Sequence, residues 1–197
     1  MKKMNRIYYI IFFLVFFVTT TKTEAKILSM GSENAQVIVK VFSSLTCPHC
    51  ANFHKEIFNN LKKDFINKGL VKFEHHAFPL DLAALNAEII VRCHVDNDKK
   101  FQLLDRMYEK QKLWAVGSDI NNINNSIKKI GLELNLNNEK MDECLNSNNM
   151  QDDILSQRIE AQKKYKIDST PTIFINEKKY DGKDNYNQFK KVLEKKL

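Results

Sequence analysis

The order of hydrophobic patterns along the chain predicts an α/β fold, a mixed sheet with an all-helical subdomain inserted into it. Three observations carry this. Two β-branched runs flank one amphipathic helix near the start, a block of helical periodicity fills the middle, and strand chemistry returns only near the end. At 197 residues the chain fits one such fold and is long enough to bury a core.

The first strand is read from Ala35 to Phe42, where AQVIVKVF alternates around β-branched residues and is apolar enough for burial on both faces. SSLTCPHCANFHKE follows. Proline is favoured at the first helical position, so Pro48 marks a helix start with Cys47 as its N-cap. Phe53, Ile57, Leu61 and Phe65 repeat every four residues as its core stripe, and Gly69 suits a C-terminal cap. LVKFEHHAF, from Leu70 to Phe78, is the next strand, ended by Pro79 and completing a βαβ unit.

From about Leu82 to Lys166 the pattern is helical in five pieces: LAALNAEIIVRCHV, KKFQLLDRMYEKQ, INNINNSIKKIG, NEKMDECLN and QDDILSQRIEAQKKYK. The asparagine-rich stretch between Asn121 and Asn149 reads as exposed helix surface. TPTIFIN then forms a strand, a turn falls at Glu177–Lys178, KYDG follows, and a last helix carries Phe189, Val192, Leu193 and Leu197. Residues 26–81 and 167–197 are thus two parts of one sheet domain, with 82–166 inserted between them.

Residues 1–25 read as a secretory signal. Lys2, Lys3 and Arg6 precede an unbroken apolar run from Ile7 to Val18, and Thr23 with Ala25 offers small residues for cleavage after Ala25. That run falls short of the roughly 20 residues a spanning helix needs. An uncleaved anchor is the lesser alternative, and with no cysteine before Cys47 an amino-terminal lipid-modified cysteine is excluded. Cleavage removes four basic residues and one acid, taking the net charge from +7 to +4. Lysines are interspersed with acids, so a nucleic-acid footprint is not supported.

All four cysteines lie in the part that would be exported, where thiols tend to pair. Cys47 and Cys50, two residues apart around Pro48 and His49, form one natural pair. Cys93 and Cys144 remain and are expected as a structural disulfide. A thiolate performs exchange chemistry, and three features favour one at Cys47: free N–H groups and the positive dipole end at a helix start, the neighbouring His49, and a strand-end position partly open to solvent. Cys50 falls on the inward stripe and should be shielded, so the pair divides into an attacked sulfur and a resolving one. Half a zinc site is the competing reading of C-x2-C. It needs two more ligands at suitable spacing, and His54, His75 and His76 read better as packed or solvated faces, so no metal and no cofactor are expected. A purely structural disulfide is disfavoured because proline and histidine at a helix start favour the reduced thiolate.

CPHC after a strand, FPLD at Phe78 to Asp81, the helix containing Cys93 and the distant STPTIFIN together resemble the DsbA-type thiol:disulfide oxidoreductases of the thioredoxin superfamily. The resemblance covers essentially the whole chain after residue 25 and implies a thioredoxin fold with a helical insertion. It also implies a cis Pro171 facing the redox pair, with Thr170 offering backbone contacts to an extended peptide. From the residues alone, Pro171 is equally a strand-start proline. One departure stands out: many relatives carry an acid six residues before the first cysteine, where this chain has Val41. Glu74 on the next strand either brings a carboxylate near Cys50 or faces solvent by alternation, and solvent is favoured.

The expected function is a periplasmic, monomeric oxidase that donates the Cys47–Cys50 disulfide to reduced, unfolded exported proteins, with a quinone-linked membrane partner as a candidate reoxidase. Two alternatives stay open. One is a reductase or isomerase, although only about ten residues separate Ala25 from the first expected strand, too few for the dimerisation domain isomerases usually add. The other is a peptide-binding, chaperone-like module with an incidental disulfide.

Overall fold

The computed structural model describes residues 27–182 and 185–197. The signal reading of 1–25 lies outside the described residues. Five strands, β1 (Leu28–Met30), β2 (Val37–Ser43), β3 (Val71–Ala77), β4 (Thr172–Ile175) and β5 (Lys178–Lys179), form one mixed sheet in the order β1-β3-β2-β4-β5. Only β2 and β3 run parallel, pairing Val37 with Val71 through Ser43 with Ala77; the other pairs are antiparallel.

The parallel crossover is one helix, α1, whose segments Pro48–Phe53, His54–Phe58, Asn59–Leu61 and Lys62–Ile66 follow without a break. Phe53, Ile57, Leu61 and Phe65 are all buried as their spacing predicts, each contributing roughly 1.5–3 kcal/mol of apolar burial. Two segments of α1 are π-helical, with the N–H of Asn59 reaching back to the His54 carbonyl and that of Asn67 to Lys62. These wider turns bring His54, Phe58 and Ile66 onto the buried face as well. Gly69, at φ +72°, ends the helix: its N–H bonds the Ile66 carbonyl and that of Leu70 the Phe65 carbonyl.

Six helices follow: α2 (Leu82–Cys93), α3 (Asn97–Glu109), α4 (Gln111–Trp114), α5 (Ile120–Leu132), α6 (Asn138–Leu145) and α7 (Asn148–Tyr165); α8 (Tyr186–Glu194) closes the chain. Asp81, Asp96, Asp119, Asn137, Ser147 and Asn185 each cap the helix that follows with a side-chain oxygen. The Cys93–Cys144 disulfide joins α2 to α6 across a Cα separation of 5.9 Å.

The secondary-structure elements depart from the sequence reading at four places. The first strand is β1, not β2, so it begins within three residues of Ala25 rather than ten; it pairs through β3, a partner more than 40 residues away. The hairpin turn falls at Asn176–Glu177, one residue earlier than expected, because Asn176 takes the left-handed φ of +56°. Leu197 lies beyond α8 and is 39% exposed. The short helix α4 had no periodicity long enough to betray it.

Candidate active site

Cys47 ends the turn that leaves β2. Its N–H bonds the Ser44 carbonyl at 3.1 Å, and its φ of −78° and ψ of 120° are those of an N-cap. The backbone N–H of Cys50 donates to the Cys47 Sγ at 3.4 Å. Proline at the first helical position leaves fewer backbone donors there, so the cap sulfur takes the role a serine oxygen would. Pro48 and His49 are exposed, whereas Cys50 is 1% exposed on the inward stripe and Cys47, expected to be partly open to solvent, is itself buried at 7%.

The two sulfurs, both free thiols here, are driven apart in acidity. A hydrogen bond from the Cys50 thiol, opposed by burial and supported by the N–H groups of Cys50 and His49, lowers Cys47 to about 5. For Cys50 burial dominates and the neighbouring Cys47 adds to it, so its thiol is pushed far above the ordinary range. It is the backbone of His49 that acts on Cys47.

The Thr170–Pro171 peptide is cis and stands over this pair: the Cys47 thiol donates to the Thr170 carbonyl at 3.3 Å. The Thr170 hydroxyl is buried without a hydrogen bond of ordinary geometry, yet its proton favours negative charge on either sulfur. Thr172 fixes this corner by donating from its hydroxyl to the Ser169 carbonyl at 2.8 Å.

Two residues that hold the loop went unrecognised in the sequence. Asp81 caps α2 through the Ala84 N–H at 2.7 Å while its other oxygen accepts from the Thr46 hydroxyl at 2.8 Å, so the FPLD stretch ties the helical insertion to the redox turn. Gln111 of α4 donates to the carbonyls of Leu45 and Cys47. Asp81 carried a readable capping signal; Gln111 carried none. Beside the loop, a cleft of about 920 Å³ opens between α1 and α3–α4, with Pro48, His54, Asp105 and Gln111 in its wall.

Glu74 does not approach Cys50. Phe73 on β3 packs against Phe58 of α1, ring centroids 4.5 Å apart, so by alternation Glu74 points to the opposite face. Solvent is not its setting either: its side chain is 14% exposed and bonds His76 at 3.1 Å and Lys72 at 3.6 Å. On the α1 side, Val41 is buried and its β3 neighbour is His75, which bonds Glu88 of α2 at 3.0 Å. Arg92 completes that buried pair at 2.7 Å. Burial opposes the charge on Glu88, but His75 and Arg92 outweigh it and hold the carboxyl well below the ordinary range. His54 bonds Asp105 at 2.6 Å, so all three candidate histidine ligands are occupied by carboxylates, and no cluster among the described residues is arranged to hold a metal ion.

A family model described as thioredoxin matches residues 22–195. Disulfide bond formation protein D of Bacillus subtilis is 32% identical over 178 residues, covering 85% of this chain and 76% of its own length. The chain belongs to the thioredoxin family. A Rickettsia typhi relative that carries a protein-disulfide oxidoreductase name is 29% identical over 161 residues, which is 80% of this chain but 58% of that protein. The chain therefore spans under three fifths of the length of that relative. Among solved structures, Wolbachia pipientis alpha-DsbA1 superposes with a TM-score of 0.79 at 24% identity, covering 86% of this chain and 90% of that one, a likeness of fold.

Proposed function

We propose that this chain is an exported thiol:disulfide oxidoreductase that donates its Cys47–Cys50 disulfide to reduced proteins folding outside the cytoplasm. The observation that carries this is the asymmetry of the pair: Cys47, lowered to about 5, is a good leaving thiolate at neutral pH, while Cys50 is buried and held as a thiol. A substrate thiolate attacks Cys47 Sγ of the oxidised pair. The Cys47–Cys50 bond breaks and its electron pair leaves on Cys50, which takes up a proton. The substrate's second thiolate then attacks the substrate sulfur of the mixed disulfide, forming the new disulfide and releasing Cys47 as a thiolate.

Two electrons pass to the enzyme in each cycle, so an acceptor must withdraw them; a quinone-linked membrane partner fits that role. Thr170, beside the cis Pro171, offers its carbonyl at the mouth of the site for backbone pairing with an extended peptide. The charged start and apolar run of residues 1–25 support export to the periplasm, and no helix among the described residues is long and apolar enough to cross a membrane.

The test is stoichiometric oxidation of a reduced, unfolded two-cysteine protein by the oxidised chain, with the redox potential measured in glutathione buffers. Loss of oxidation in Cys47→Ala is expected. Oxidation that survives that change removes the redox reading in favour of a peptide-binding module, and a potential near the roughly −270 mV of thioredoxin turns the assignment to a reductase.

A further inference from the structure

The Cys47 carbonyl is oversubscribed. It accepts from the N–H of Cys50 at 3.1 Å and of Ala51 at 3.2 Å, as an N-cap carbonyl does, and also from Gln111 Nε2 at 3.0 Å. A carbonyl oxygen has two lone pairs. Of the two backbone donors, the Cys50 N–H also has the Cys47 Sγ in reach, at 3.4 Å. The second proton of the same Gln111 amide goes to the Leu45 carbonyl at 2.8 Å, and Gln111 is 6% exposed, so both bonds are made away from competing water.

We propose that Gln111 is a positioning residue for the redox pair: by occupying the Cys47 carbonyl it turns the Cys50 N–H toward the Cys47 sulfur, and by gripping Leu45 it holds Cys47 in its extended cap conformation. Thiol chemistry in the sheet domain is thereby set from the helical insertion, 64 residues along the chain. Tyr108, on the preceding turn, reinforces the grip through its 2.9 Å hydroxyl contact with Ser43 at the end of β2. This inference rests on Cys47 being the reacting sulfur of the proposed function, but not on the direction in which disulfides move.

Its test is the pH dependence of iodoacetamide alkylation of the reduced full chain, which reads the Cys47 thiolate without any protein substrate. Gln111→Ala and Gln111→Glu should each raise the alkylation midpoint by about one pH unit, a roughly tenfold fall in thiolate below the midpoint, with the larger rise for the glutamate. Leu113→Ala, 78% exposed on the same short helix, should leave the midpoint in place. Gln111→Glu preserves the side-chain volume in case the alanine variant loses its fold. A wild-type midpoint in a folded variant, whatever its melting temperature, overturns the proposal. The unaltered protein supplies an independent reading by heteronuclear NMR: the Gln111 side-chain amide protons should be protected from exchange and should shift as Cys47 ionises. Amide protons indifferent to that titration also overturn it. Absence of oxidase activity would defeat the proposed function while leaving both readings intact.

Discussion

The Cys47 thiol donates a hydrogen bond to the backbone carbonyl of Thr170 over 3.3 Å, joining residues 123 apart in sequence. When Cys47 ionises, that donor is lost and a sulfur anion faces an oxygen. The compensation comes from the other side, chiefly from the Cys50 thiol. Alkylation of the reduced protein should therefore follow a single ionisation centred near pH 5 and modify Cys47 alone. Cys50→Ala, which removes the largest stabilising contact, should move that midpoint upward by more than one pH unit. Mass mapping of the alkylated peptide at pH 6 checks both statements; labelling of Cys50 at that pH would contradict the acidity assigned to it.

The same depression makes the reduced protein's stability depend on pH. Cys47 is lowered in the folded state from an ordinary thiol value, so the unfolded chain binds the proton more tightly over the interval between them. The thiolate's contribution is complete above the unfolded value and is lost as pH falls through about 5. Urea midpoints of the reduced wild type should thus rise relative to those of Cys47→Ala between pH 5 and pH 8.5. A constant difference across that window is the contrary result.

What could be read in advance was local. Pro48 at a helix start, the four-residue spacing from Phe53 to Phe65 and the glycine at position 69 each act within one or two turns, and each appears where it was expected. β1 is three residues with one buried side chain, so its existence depends on β3 offering an edge. The side to which Glu74 points was settled by which sheet face α1 covers, a tertiary fact that alternation alone does not supply. Gln111 was invisible for the same reason: a glutamine between a lysine pair looks like surface until the loop that needs its two protons folds against it.

The Cys93–Cys144 bridge closes a separation of 51 residues between α2 and α6. In the chain-entropy account a link of that length stabilises by about 4 kcal/mol, at the upper end of the roughly 2–4 kcal/mol that disulfides typically contribute. Replacing both cysteines with alanine should lower the denaturation free energy by that order in urea titrations, while the alkylation midpoint of Cys47 stays unchanged. A shifted midpoint would show that the bridge supports the site as well as the helices.

Val41 leaves no acid on β2, and the two carboxylates paired with β3 histidines lie on opposite faces of the sheet. Glu74 serves His76 and Lys72 on the face away from α1. Glu74→Gln should leave the alkylation profile within about 0.2 pH unit of wild type, because that charge lies across the sheet from both sulfurs and is balanced by its own partners. Glu88 is buried on the α1 side between His75 and Arg92, and neutralising it leaves the half-buried Arg92 guanidinium without its carboxylate, with the Gln157 amide oxygen as its remaining partner. Glu88→Gln should cost about 3–5 kcal/mol in a urea titration, the loss expected when one partner of a buried pair is removed. If Glu74→Gln displaces the alkylation midpoint while Glu88→Gln costs nothing, the facing of β3 described here is wrong.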